Sequence, residues 1–353
     1  MTEPVPDLGG PLEAAPKPER RWLRLGIIAA LVVVVLFVIR GLLGDIDWAQ
    51  VREAVGLLEW WQFALLFVVM LGRQFFNALP LSLFIPGCSP FRAMQNDQAA
   101  ILMTSVAPPP SDIVTRLAMF TSWGIPATSG LAGTVMNTMS FYVIRFGVPM
   151  FGIAIMLAGG EFYWGEFIPA LVSGLVSVAL LLIVWLAFRG EAFTSGFARL
   201  LGRWVAKVRS SIDPEGWADW ATDFRSRVVD RVPYALPRSL LSMLLMVLID
   251  ATILVMSLRF VDVTAAQVPA VTVVVAFLVA YPLTLFPFQG LGVLDAVVTA
   301  TILAIDAGAE EASVVAAFVV WRVITIIGPI LLGLLSVGLW KFQLARTPPT
   351  TAE

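Results

Sequence analysis

Phe286-Pro287-Phe288-Gln289-Gly290-Leu291-Gly292-Val293-Leu294-Asp295 interrupts an apolar run at the depth where a membrane helix ought to be continuous. Pro287 removes a backbone donor and clashes with the preceding turn, Gly290 and Gly292 relax the chain, and Asp295 sets a carboxyl group where hydrocarbon excludes charge. Irregular backbone at membrane depth survives only when it is buried in protein or lines a cavity. A second interruption of the same kind, Val106-Ala107-Pro108-Pro109-Pro110-Ser111-Asp112, lies in the first half of the chain. Breakers at corresponding positions of two halves point to a transport site between them.

The surrounding composition fits that setting. The chain is 59% hydrophobic and 14% charged, with a mean hydropathy of +0.87, and its apolar residues come in long runs. It reads as an all-α polytopic membrane protein. The formal net charge of -2 says little, because orientation follows where Lys and Arg lie. The absence of histidine excludes His-based acid–base chemistry, Ser-His triads and imidazole metal sites. Cys88 is the only cysteine, so the chain holds no internal disulfide and no thiolate cluster, and helix-end packing is its expected role. No metal or cofactor is expected, and no nucleic acid among the partners.

Taken in order, residues 1–21 are rich in proline and read as a disordered cytoplasmic tail. Lys17, Arg20, Arg21 and Arg24 precede the apolar run from Leu25 to Leu43, which is long enough to span with its amino end inside. The acidic link that follows suits the outer side. Trp60 to Ile85 forms a second span carrying Arg73 and Asn77, four residues apart and hence on one helix face. Arg73 at mid-span is placed badly for snorkelling and is expected to face inward. Gln98 to Ala107 and Asp112 to Trp123 are each about half of the roughly 20 residues needed to cross. They read as two arms of a re-entrant hairpin turning at the triple proline. Asp112 is expected to cap the second arm with Arg116 at i+4, as part of a site or as a plain capped helix with an ion pair. Leu131 to Leu157 then spans outward with Asn137 and Arg145, and Phe167 to Phe188 returns.

Residues 189–236 form the one sizeable polar segment, an amphipathic connector whose first stretch sets Phe193, Phe197, Leu200, Leu201, Trp204 and Val208 against Arg199, Arg203 and Lys207 on another face, and whose second, after Asp213-Pro214, carries Trp217, Trp220, Phe224 and Val228. Pro237 to Leu258 places Asp250 deep in an apolar helix. Val268 to Phe286 and Leu291 to Ile305 flank the opening motif as a re-entrant hairpin or two full spans. Ala312 to Trp340 carries Arg322 and leads into a cytoplasmic tail, 341–353. Every basic segment falls inside and every acidic turn outside only if both hairpins return to the side they came from. This gives a single transmembrane domain over 22–340, with about six full spans plus two re-entrant hairpins, or eight spans. Its halves, 60–157 and 237–340, form an inverted repeat.

The segment Pro287 to Asp295, with Trp321-Arg322 in the last span and Pro108 to Arg116 in the first half, resembles the lysylphosphatidylglycerol synthase transmembrane-region family of flippase-like membrane proteins. That family's pattern has a Pro-rich turn leading to Gly-Asp/Glu with an Arg four residues on, and later Gly-Leu-Gly-x-x-Glu and an aromatic-Arg pair. The likeness covers about residues 60–340. Ser111 stands where the family usually has Gly, Asp295 replaces the usual Glu, and Met136-Asn137-Thr138 occupies the place of an acidic cluster. The resemblance implies the lipid-moving half of the synthases, without their soluble aminoacyl-transferase domain and without lysine transfer.

The intramembrane charges are Arg73, Arg116, Arg145 and Arg322 against Asp112, Asp250 and Asp295, one positive charge in excess. Each costs about 2.5 to 3.5 kcal/mol in hydrocarbon, so they are expected to cluster in one polar cavity with Asn77, Gly290 and Gly292. A cationic cavity suits an anionic head group. The expectation is a non-enzymatic translocator in the cell membrane, moving a phospholipid or a polyprenyl-phosphate-linked glycan between leaflets, with both termini cytoplasmic. The alternatives are a transporter of a small anion, a membrane scaffold, and a set of charges that pair internally to fix helix register.

Overall fold

The computed structural model describes residues 58–107, 110–159, 164–208, 213–304 and 310–346, together with Ala49, Glu53 and Gly56. The amino tail, the expected span over 25–43, Pro108, Pro109 and the end of the carboxyl tail lie outside the described residues.

Among the described residues every regular element is helical. This follows from composition, because a backbone in hydrocarbon must satisfy its polar groups within its own segment. Five stretches are long and apolar enough to cross a membrane: Trp60–Phe84 (α1), Ala127–Ala158 (α4), Phe167–Phe188 within Trp164–Arg189 (α5), Val232–Phe260 (α8) and Glu311–Arg346. The last is an α-helix, Glu311–Arg322 (α11), a single π segment at Val323–Ile327, and a further α-helix, Gly328–Arg346 (α12). Three span boundaries move outward by several residues from the sequence reading, among them the start expected at Leu131, which lies at Ala127. The span expected from Pro237 begins at Val232, and the last span runs to Arg346 rather than Trp340.

Between the spans lie two pairs of shorter helices. The first is Pro90–Val106 (α2) and Ser111–Ser122 (α3); the second is Ala270–Ala280 (α9), prolonged by a 3-10 stretch at Tyr281–Leu285, a single turn at Pro287–Gly290, and Val293–Leu303 (α10). At about 1.5 Å per α-helical and 2 Å per 3-10 residue, the 17 residues of α2 and the 16 of Ala270–Leu285 both fall short of a hydrocarbon core about 30 Å thick. Both pairs fold as hairpins of helices shorter than the five candidate spans. The first arm starts eight residues before the expected Gln98, where Ser89 Oγ accepts the Arg92 N–H at 3.3 Å. Gln95, Asn96, Asp97 and Gln98 are all buried inside this helix; neighbouring helices supply a partner to each, while Gln95 Oε1 and Gln98 Nε2 have none among the described residues.

The core lies between α1 and α8, which pack along much of their length, with Met70, Met246, Val247, Leu254, Phe277 and Trp321 among its buried residues. Helix α12 packs on α2, and α4 packs on α9, so each long helix lies against the hairpin of the opposite half. Helix α5 is peripheral, with Leu171, Val172, Leu175, Val178 and Leu182 all exposed, as expected of a lipid-facing surface. The connector is a helix pair, Glu191–Val208 (α6) and Pro214–Val228 (α7), joined by an Arg199–Glu215 ion pair at 2.7 Å. The expected helix-end role of Cys88 is observed: it is buried among Leu81, Ile85, Ala93, Phe120 and Ile125.

Candidate functional site

Arg73 lies midway along α1 and is 7% exposed. Its side chain is 9% exposed, so most of its charge is answered inside the protein. Asp250 on α8 does so, with its Oδ2 2.9 Å from Arg73 Nη2, while Oδ1 accepts the Trp321 Nε1–H at 3.0 Å. Arg73 Nη1 also donates to Gln74 Oε1 at 2.6 Å, and Gln74 Nε2 donates on to Gln98 Oε1 at 3.0 Å. One turn along the same face, Asn77 Nδ2 donates to Asp97 Oδ2 at 2.6 Å. Asp97 Oδ1 receives Arg116 Nη2 at 2.7 Å. Arg116 and Asn96 close a reciprocal pair, Nη1 to Oδ1 and Nδ2 to the Arg116 carbonyl, both at 3.0 Å.

The expected Asp112–Arg116 pair is not formed. Asp112 occupies the first turn of α3 after an N-cap at Pro110; it caps nothing and makes no ion pair among the described residues. A carboxylate in a helix's first turn is already favoured by the helix dipole. Asp97, 2% exposed, has no such support and takes the cation. Sequence reasoning passed over Asp97, although four consecutive polar residues inside an otherwise apolar stretch were a usable signal of a buried network.

At the second break, Gly290 (φ +72°) and Gly292 (φ +80°) adopt left-handed conformations that side chains resist, and a Cβ on Gly290 would come within 2.5 Å of the Leu283 carbonyl oxygen. Gln289 is also left-handed at φ +58°, a strained state for a residue with a side chain. This turn delivers the Gly292 N–H to Asp295 Oδ2 at 2.9 Å and the Gln289 carbonyl to Arg322 Nη1 at 3.3 Å. Arg322 grips Asp295 through Nε (3.0 and 3.1 Å) and Nη2 (2.7 Å), the bidentate geometry that favours Arg–carboxylate pairs.

A cavity of about 290 Å³ opens among α1, α2, α3, α4, α8 and the second hairpin. Five of the expected site residues line it: Arg73, Asn77, Arg116, Arg145 and Asp250. Asp97 completes its charged wall, and Gln289 and Trp321 bring the second break to its edge. Asp112, Gly290, Gly292, Asp295 and Arg322 are not part of the lining. Arg145, 8% exposed, stands apart from the other cavity-lining arginines, since its guanidinium faces the Phe141 and Tyr142 rings at 4.3 and 5.4 Å and, among the described residues, no carboxylate. Among the described residues no three His, Cys, Asp or Glu side chains converge to hold a metal ion.

The family model described as lysylphosphatidylglycerol synthase TM region matches residues 22–333, both breaks and the whole cavity included. The chain belongs to that family. No curated protein matches it. Membership of the lysylphosphatidylglycerol synthase TM-region family, with the five apolar spans, makes this an integral membrane protein related to lipid handling. The motif residues by which the family was suggested divide in two here. Arg116 lines the cavity, while Asp295 and Arg322 bond to each other beside it.

Proposed function

We propose that this protein carries an anionic lipid, or a lipid-linked glycan, from one leaflet of the cell membrane to the other, and that it does so as a carrier without chemical conversion. The observation that supports this reading is the charge of the cavity. Arg73, Arg116 and Arg145 line it against Asp97 and Asp250, leaving one positive charge in excess within apolar helices, where an unanswered charge is costly. A head group bearing phosphate answers it.

The packing supports the associated architecture. If the halves are inverted repeats, α1 corresponds to α8, the first hairpin to the second, and α4 to the α11–α12 span. An exchange of the halves then maps the contact of α12 with α2 onto that of α4 with α9, and maps the α1–α8 contact onto itself. Carriers of this kind hold their site at the repeat interface and expose it alternately by rocking one half against the other. Under this reading both termini and the α6–α7 connector face the cytoplasm, where basic residues concentrate.

The test is translocation in proteoliposomes. Fluorescent anionic lipids should become accessible to a membrane-impermeant quencher faster with protein than without, and labelled phosphatidylcholine should not. Equal rates with and without protein across anionic glycerolipids and polyprenyl-phosphate glycans would refute the carrier reading.

A further inference from the structure

We infer that the α6–α7 helix pair is a docking element for the bilayer surface: its exposed aromatic face lies in the phospholipid head-group layer, on the side where α5 ends and α8 begins. The inference concerns a surface remote from the cavity and holds whatever the cavity carries.

The pair packs in the reverse sense of a water-soluble helical hairpin. The two helices lie against each other, yet the residues buried along them are small: Thr194, Ala198 and Gly202 on α6, and Ala218 and Ala221 on α7. The large apolar side chains are turned outward, with Phe193 40%, Leu200 51%, Trp204 66% and Trp220 52% exposed. Burying such residues is what ordinarily drives amphipathic helices together, so a pair that leaves them out has a second apolar surface to meet. At about 3.6 residues per turn, Phe193, Leu200 and Trp204 fall on one stripe of α6. The small buried residues lie to one side of that stripe, and Arg199 and Arg203 lie to the other. Arg199 is held by Glu215, while Arg203 is exposed, at the edge where head-group phosphates would meet it once the aromatic stripe enters the layer. On α7, Trp220 stacks on Phe224 at 5.5 Å, and Asp219 and Asp223 fall on another side of the helix.

Connection decides which apolar phase covers the face. Helix α5 ends at Arg189 and α6 starts at Glu191; Thr194 Oγ1 donates to the Gly190 carbonyl at 3.1 Å and also to that of Ala187. At the other end, α7 stops at Val228 and α8 starts at Val232. There Arg225 Nη2 donates to the Phe188 carbonyl at 3.4 Å, and Val228 is buried with Phe84, Met136, Val184 and Ala235. Both ends of the pair are thus tied to the ends of apolar spans, next to the lipid-facing surface of α5. From that base the pair can project into water or lie along the bilayer. Projection would leave Leu200, Trp204 and Trp220 in water. Lying flat places them at the level where Trp and Phe are favoured, with an apolar body in the acyl boundary and a polar edge in the head groups.

The test uses the full chain in vesicles of phosphatidylcholine and phosphatidylglycerol. Spin labels are attached one at a time to Leu200→Cys, Trp220→Cys, Ser195→Cys and Asp219→Cys, each in a Cys88→Ser background, and their collisions with oxygen and with a water-soluble nickel chelate are compared. Labels at Leu200 and Trp220 should favour oxygen, at a depth of about 5 to 10 Å into the head-group and acyl boundary. Labels at Ser195 and Asp219 should favour nickel. Equal nickel access at all four positions would mean that the pair projects into water, and it overturns the inference. Shielding of Leu200 and Trp220 from both reagents would mean that a second copy or another protein covers the face, and it overturns the inference as well. If Leu200→Cys does not fold, Phe193→Cys on the same stripe takes its place.

Discussion

Each of the two breaks in the chain sets an aspartate against an arginine, yet the two pairs live in different surroundings. Asp295–Arg322 forms a closed unit, doubly bonded, with the Gly292 N–H and the Gln289 carbonyl occupying further positions, and it does not border the cavity. Asp97–Arg116 stands in the cavity wall, single-bonded between the two charges and shared with Asn77 and Asn96. The same residue types at similar breaks therefore serve two ends. The Asp295–Arg322 pair holds a strained turn in place, and the Asp97–Arg116 pair stands in the wall of the cavity. Under the carrier reading, Arg322 is the structural partner of Asp295, and the arginines that line the cavity are the ones placed to meet a head group.

The sharpest way to break this comparison is Arg322→Gln. Removing the arginine strands the buried Asp295 carboxylate, at a cost of about 3 to 5 kcal/mol, and folded yield should fall before transport does. Adding Asp295→Asn should restore much of the yield. A stable but inactive Arg322→Gln protein would return Arg322 to the substrate and end the distinction between the pairs.

Arg116→Gln should cost less, about 1 to 3 kcal/mol, because Asp97 keeps Asn77 and the cavity admits water. Its main effect should be on translocation rate, measured with the stability of the same preparation. A loss of stability as large as that of Arg322→Gln would show that the two breaks are equally structural.

The mildest test uses Cys88, in the link between α1 and α2. Burial pushes its thiol from 9.0 up to about 11, against a smaller opposing influence from Arg92. Since the thiolate is the reactive form, a raised value means little thiolate at pH 8, and the maleimide labelling rate should climb steadily with pH to about 11. Arg116→Gln, which loosens the adjacent hairpin, should speed labelling at pH 8 by a few-fold, and Arg322→Gln rescued by Asp295→Asn should leave it unchanged. Labelling at the speed of an exposed thiol in the wild type would contradict the packing around the first hairpin.

What the sequence determined by itself was the membrane class, the helical spans, the two breaks and the residues expensive enough in hydrocarbon to belong to a site. These follow from local quantities: run length, the stereochemistry of proline and glycine, and the transfer cost of each charge. Arg73, Asn77, Arg116, Arg145 and Asp250 could be named that way because each is costly wherever it faces lipid. Which aspartate each arginine meets was beyond such reasoning. Arg116 turned from Asp112, four residues away on its own helix, to Asp97, nineteen positions back on another. Arg73 found Asp250 across the α1–α8 contact. Pairing depends on which carboxylate is more deeply buried once the helices pack, and burial is a property of the assembled fold. That Arg145, alone among the arginines lining the cavity, meets no carboxylate among the described residues was decided there too.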